Sequence, residues 1–256
     1  MEKGGGKFLI LMTGIMRIVR QQNISPMVID RLVTKRGRST LVKMIHVAHE
    51  DWLAEQPKTM ELEPYFTPLK DEDVPAERQA ELAAYRKLAT EHGVPANVPV
   101  CYRVRVGFTV KGRASQFGPC YDKFGYLKDW NFPDEPTVDC LVFWIPRLLK
   151  ESADKTKDQQ LALLAELRQT LGLPEGHMSG FGKASLVVGL VLAHFKETGE
   201  RAPLDKLSVR TDTCVSGCDR LVVGRFGESG LDVNRWHGGP ASDGLGVFAL
   251  GVVLGF

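Results

Sequence analysis

Lysine is missing from the last fifty residues of this chain: Lys206 is the final one of sixteen. An even spread would put about three lysines there, so the gap by itself excludes little. What fills it is more informative. The stretch RTDTCVSGCDRLVVGRFGESGLDVNRWHGGPASDGLGVFALGVVLGF alternates short apolar pairs with Arg, Asp, Ser, Asn and His. Such a pattern describes a fixed framework that carries exchangeable exposed side chains, and it points to binding.

Long apolar runs are also lacking. The longest candidates, Ala184 to Phe195 and Phe8 to Met16, fall short of the roughly 18 to 20 residues that cross a bilayer, so no membrane span is expected. Residues 1–16 imitate a secretion signal, with Lys3 and Lys7 ahead of FLILMTGIM, yet Arg17 and Arg20 follow and no small-residue cleavage site appears. Cysteine is sparse and odd in number: Cys101, Cys120, Cys140, Cys214 and Cys218 are spread through the chain, unlike the framework of a small disulfide-stapled secreted domain. Reduced thiols in a cytoplasmic protein are the expectation. Cys214 and Cys218 supply two soft ligands and His237 a conceivable third, but a single C-x3-C with no matching second pair is a weak zinc signal, and neither metal nor cofactor is expected. The chain has no G-x-S-x-G elbow, no Walker loop and no H-E-x-x-H, which leaves catalysis without a motif.

What is present is an ordinary globular composition, 43% hydrophobic and 25% charged over 256 residues, enough for one large domain or two smaller ones. The net charge of +2 is unevenly placed. Residues 1–46 hold nine Lys or Arg against Glu2 and Asp30, a local excess of +7 that leaves −5 for the remainder.

Residues 1–56 read as a helical basic region. Leu11, Ile15, Ile18 and Val19 recur at helical spacing; Ser25 and Pro26 form an N-cap and first-turn pair; Gly37 stops that second helix and Ser39 caps a third. Lys35, Arg36, Arg38 and Lys43 cluster around the turn, which permits a helix-turn-helix reading in which cations meet phosphates, and equally a solvated face favoured by the helix dipole. His46 and His49 stand one turn apart without further ligands.

Residues 57–94 read as a linker, rich in proline and acid from Pro57 to Pro75, followed by a helix at about 76–92 ending at Gly93. From Val98 to Val110 the period becomes two, as in a strand with one wet face, and Cys140 to Ile145 is a short apolar strand closed by Pro146. Between them Tyr121, Phe124, Tyr126, Trp130 and Phe132 stud an irregular segment, where packing on a core is favoured over carbohydrate binding. Helices are expected from Asp158 to Gly172 and from Lys183 to Thr198, with Gly199 as a cap. After Pro203 short strands follow one another through Leu207 with Val209, Leu221 with Val223, Leu231 with Val233, and Val247 to Leu254, with Gly217, Gly230 and the Gly238–Gly239 pair at turns. This predicts an α+β chain whose β-rich C-terminal module closes on its own last strand.

ASLVVGLVLAHFKETGERAPLDKLSVRTDT, then RLVVGRFGESGLDVNRWHGG and the terminal GVFALGV, resemble the variable proteins of diversity-generating retroelements. That family has a C-type-lectin fold related to formylglycine-generating enzymes. The resemblance covers residues 95–256 and implies a C-type-lectin-like ligand-binding domain with a variable segment at about 210–245, in a bacterial binder of an unspecified protein or other macromolecule. In the family, reverse transcription randomises template adenines in codons that can become Asn, Asp, Ser, His or Arg but never Lys, Glu or Trp. Asp219, Arg225, Ser229, Asp232, Asn234, Arg235, His237, Ser242 and Asp243 belong to the reachable set and are the candidate ligand-binding residues, whereas Glu228 and Trp236 would be framework. The enzymatic relatives act through a reactive cysteine pair; Cys214 and Cys218 lie inside the segment that would vary, and no catalytic motif is matched. A non-catalytic binder is therefore the primary expectation. The alternative is a nucleic-acid-binding protein that uses Lys35, Arg36, Arg38 and Lys43.

Overall fold

Eight strands and four α-helices occur among the residues that the computed structural model describes, which are 65–217, 219–237 and 241–255. The basic helical region, with Lys35, Arg36, Arg38, Lys43, His46 and His49, lies outside them, as do Cys218 and the Gly238–Gly239 pair.

The first sheet has the order β1-β2-β3-β8, built from β1 (Phe66–Pro68), β2 (Cys101–Val104), β3 (Cys140–Leu148) and β8 (Phe248–Leu254), all antiparallel. Both of its faces are buried, which is why β3 reads as an unbroken apolar run rather than an alternation. Cys140, Val142 and Trp144 face one core, and Leu141, Phe143 and Ile145 face the other. Helix α1 (Gln79–Glu91) and helix α3 (Lys157–Thr170) cover the second of these through Leu82, Tyr85, Leu88 and Leu164.

The second sheet runs β6-β5-β4-β7, from β4 (Ser208–Ser216), β5 (Asp219–Gly227), β6 (Gly230–His237) and β7 (Leu245–Gly246). Its inner face, with Val209, Leu221, Val223, Leu231 and Val233, joins the first core. Helix α4 (Ala184–Thr198) lies in that same core and is buried on every side from Ala184 to His194, as expected of a helix that is apolar all round. Gly199 ends it in the left-handed conformation at φ 72°. Thr156 begins α3 with a capping box shared with Gln159.

The α+β class holds, and three local expectations change. Val98 to Val110 is not one strand: β2 ends at Val104, Val106 is 55% exposed in a turn, and Val110 begins helix α2 (Val110–Phe117). The side chain of Asp134 accepts the Val110 and Lys111 N–H groups, satisfying orphan donors of that first turn. Pro146 does not close β3, because it falls inside the register shift between Trp144 and Leu148, where the ladder needs no N–H. The last strand does not close the C-terminal module either. Strand β8 pairs with β3, so the chain returns to the first sheet, and β7 pairs in parallel with β4 over two residues only. Strand β1 and helix α1, which precede residue 95, are part of the same sheet and core as the strands that follow it.

Candidate functional site

The outer face of the second sheet is organised by register. Ser208 stands opposite Gly224, and Gly224 opposite Asp232; Arg210 stands opposite Val222, and Val222 opposite Asn234; Arg220 stands opposite Trp236. Because side chains alternate along a strand, these residues share one face while their neighbours Val209, Leu221, Val223 and Val233 fill the core. Over Ser208, Val222, Gly224, Asp232, Asn234 and Trp236 lies a cleft of about 170 Å³, rimmed by Lys206, Arg225 and Ser242. A volume below the roughly 300 Å³ of small-molecule cavities suits a protruding side chain better than an enclosed ligand.

Two backbone features keep the cleft open. A Cβ on Gly224 would sit 2.3 Å from the Leu207 carbonyl oxygen and 2.4 Å from Ser208 Cα, so only glycine allows β4 and β5 to approach as they do. Immediately after it, Arg225 takes a left-handed φ of 51°, where the β5–β6 register shifts. Its N–H donates to the Leu207 carbonyl at 2.9 Å, and Phe226 returns to the core.

Several side chains of the cleft and of the sheet face beside it are held from behind. The Tyr126 hydroxyl donates to Asp232 Oδ1 at 2.6 Å and accepts the Val233 N–H at 3.1 Å, tying the outer edge of β6 to the irregular aromatic segment. Burial and the Asp232 carboxylate raise the pKa of that hydroxyl, so it stays a donor. The Arg235 guanidinium lies 4.9 Å from the centre of the Trp130 ring. Arg210 is buried, which lowers its pKa, and its Nε donates to Gln160 Oε1 at 2.6 Å, while Gln160 Nε2 donates to the carbonyls of Ser152 and Leu245. Asp154 N–H donates to the Ser242 carbonyl at 2.8 Å and fixes the far rim.

Of the nine candidate residues, Arg225, Asp232, Asn234, Arg235 and Ser242 line this one cleft. Ser229 is exposed at the β5–β6 turn, and Asp243 is exposed outside the lining. Asp219 and His237 pair with each other across the strands, Oδ1 to Nδ1 at 3.2 Å, beyond the cleft. Glu228, which the resemblance makes a framework position, is exposed at the surface beside Ser229. Lys206, Ser208, Val222, Gly224 and Trp236 also line the cleft, although sequence reasoning did not assign them to it. The alternation of β5 and β6 could have located Val222 and Trp236, since they share the parity of Asn234 once the strands are paired. No sequence signal could have found Tyr126, which lies 106 residues from its partner.

Phe124, Leu127 and Phe132 are core residues, in keeping with the packing role expected of the aromatic segment. Cys101, Cys120, Cys140 and Cys214 are free thiols. Among the described residues no group of three metal-ligating side chains occurs, and no helix is long and apolar enough to cross a membrane. The chain matches no family model, no curated protein and no solved structure.

Proposed function

We propose that the protein is a non-catalytic binder that presents the outer face of its second sheet to a macromolecular ligand, as a variable protein of a diversity-generating retroelement with a C-type-lectin-like fold. One observation carries this reading: four polar positions of the codon-reachable set, Arg225, Asp232, Asn234 and Ser242, line a single cleft, directly behind which Leu221, Val223, Leu231 and Val233 are fully buried, while Arg235 borders the cleft from a position opposite the core residue Leu221 and lays its guanidinium on Trp130. Residues on such a face exchange without touching the core, in the way antibody loops vary on a fixed scaffold.

The adjoining DNA tests the origin. A near-identical template repeat should lie near the 3′ end of the gene, beside a reverse-transcriptase gene, with mismatches confined to template adenines and Leu221, Val223 and Gly230 unchanged. Absence of both repeat and polymerase removes the retroelement part of the proposal.

A second reading rests on the excess of +7 over residues 1–46. Under it the chain binds nucleic acid, and neutralising Lys35, Arg36 and Arg38 together lowers affinity and flattens its salt dependence, because each lost phosphate contact releases fewer counterions. A filter-binding titration at several salt concentrations decides it: binding that does not respond to salt leaves the basic front as a solvated face.

A further inference from the structure

The cleft has cations at both ends and apolar surface between them. Lys206 and Arg225 stand at one end. At the other, a smaller hollow is lined by the cations Lys157, Arg210 and Arg220 and by Asp212, whose carboxylate already accepts the Phe181 and Gly182 N–H groups, and Val222 and Trp236 border both hollows. Arg220 lies opposite Trp236, and Gly224, the residue before Arg225, lies opposite Asp232, so the backbone positions that mark the two cationic ends are about four residues of β5 apart, roughly 13 Å at the rise of a strand. Among the described residues Lys206, Arg225, Lys157 and Arg220 make no ion pair, and Arg220 donates to Cys214 Sγ at 3.0 Å and to the carbonyls of Gly217 and Asp219. The indole Nε1 of Trp236, in the middle, is shielded from solvent and has no hydrogen-bond partner.

We infer that this face takes an extended acidic peptide segment, with two carboxylate side chains about four residues apart reaching the cationic ends and an apolar middle lying over Val222 and Trp236. The inference rests on the binding-face reading above and narrows it to a ligand chemistry. A strand-like peptide has the same rise as β5, so carboxylates at positions i and i+4 match the separation of the cations. The cleft offers Asn234 at the level of Val222, and Asp232 and Ser242 nearer its rim, which accept the N–H groups that a peptide supplies and a phosphate backbone lacks.

The experiment is a selection of displayed random dodecapeptides on the full-length protein, followed by fluorescence anisotropy of the selected peptides. The expected pool is enriched in Asp or Glu pairs spaced by four, and the double variant Arg220→Gln/Arg225→Gln, with an unchanged urea midpoint, loses tenfold or more in affinity. Exchanging both acidic residues of a selected peptide for Lys should abolish binding. Peptides whose binding is lost on Trp236→Ala but which carry no acidic enrichment overturn the inference and leave the binding face standing. Acidic peptides that bind the double variant as well as the parent overturn it as non-specific attraction. A dodecamer of deoxythymidine that binds more tightly than any selected peptide, with the same dependence on Arg220 and Arg225, overturns it in favour of nucleic acid. A pool indifferent to every cleft substitution overturns both the inference and the binding-face proposal.

Discussion

Arg225 is where structure and binding separate most cleanly at the scale of one residue. A side chain at φ 51° is strained, and nothing in the fold requires an arginine there, since its guanidinium is exposed and its backbone alone makes the contact with Leu207. Glycine relieves that strain at some entropic cost in the unfolded chain, so Arg225→Gly should leave stability unchanged or raise it by up to about 1 kcal/mol. Binding by the cleft should fall at the same time. Urea midpoints and peptide affinity measured on the same preparation check both halves; a large loss of stability would make Arg225 a structural residue. Tyr126 behaves in the opposite way. Removing its hydroxyl takes one partner from Asp232 Oδ1 and one from the edge N–H of Val233, which still bond each other at 2.8 Å, so Tyr126→Phe should cost about 0.5 to 1.5 kcal/mol and loosen β6.

Among the elements, what the sequence revealed depended on whether a local rule controlled the outcome. Helices α1, α3 and α4 were legible because α3 carries an apolar stripe, α4 is apolar all round, and the three end at Gly93, Gly172 and Gly199. Strands β4 to β6 were legible because one face is wet. The turn at Val106 and the start of α2 were not, because Val104, Val106, Phe108 and Val110 keep a two-residue alternation while the backbone is redirected by the distant Asp134. The pairing of β8 with β3 was illegible for a related reason: an apolar strand does not state its partner, and β3 lies about a hundred residues upstream. In the cleft, polar positions could be named singly, but their grouping needed the register of β5 on β6. Packing between elements gives its own prediction. A Cβ on Gly189 of α4 would fall 1.9 Å from the Phe66 ring of β1, so this glycine sets the distance between helix and first sheet. Gly189→Val should destabilise by about 1 to 3 kcal/mol or more through overpacking, seen as a lower melting temperature, whereas Gly189→Val combined with Phe66→Ala should recover part of the loss.

For the whole molecule, the strongest pH dependence originates in the cores rather than at the cleft. His177 is 1% exposed and His194 3% exposed, one in each core. Burial lowers the pKa of His177 and pushes that of His194 down to about 4, with Arg147 adding to the effect on His194. Glu81 Oε1 is 3.8 Å from His177 Nε2 and opposes the shift there without reversing it. In the unfolded chain both imidazoles take up protons near pH 6.5, whereas the folded chain resists protonation until lower pH. Stability is therefore complete above about pH 7 and falls as the pH drops through the unfolded value, and for His194 the loss continues down to about pH 4. The His194 contribution corresponds to about 3 kcal/mol at most, a large share of the stability of an ordinary domain. Urea unfolding at pH 7.5 and pH 5 should show a clear drop in midpoint for the parent chain and a smaller one for His194→Phe, which packs against Trp144 without a titrating group. Equal drops in the two proteins would mean that His194 is protonated in the native core and that the acid sensitivity comes from elsewhere.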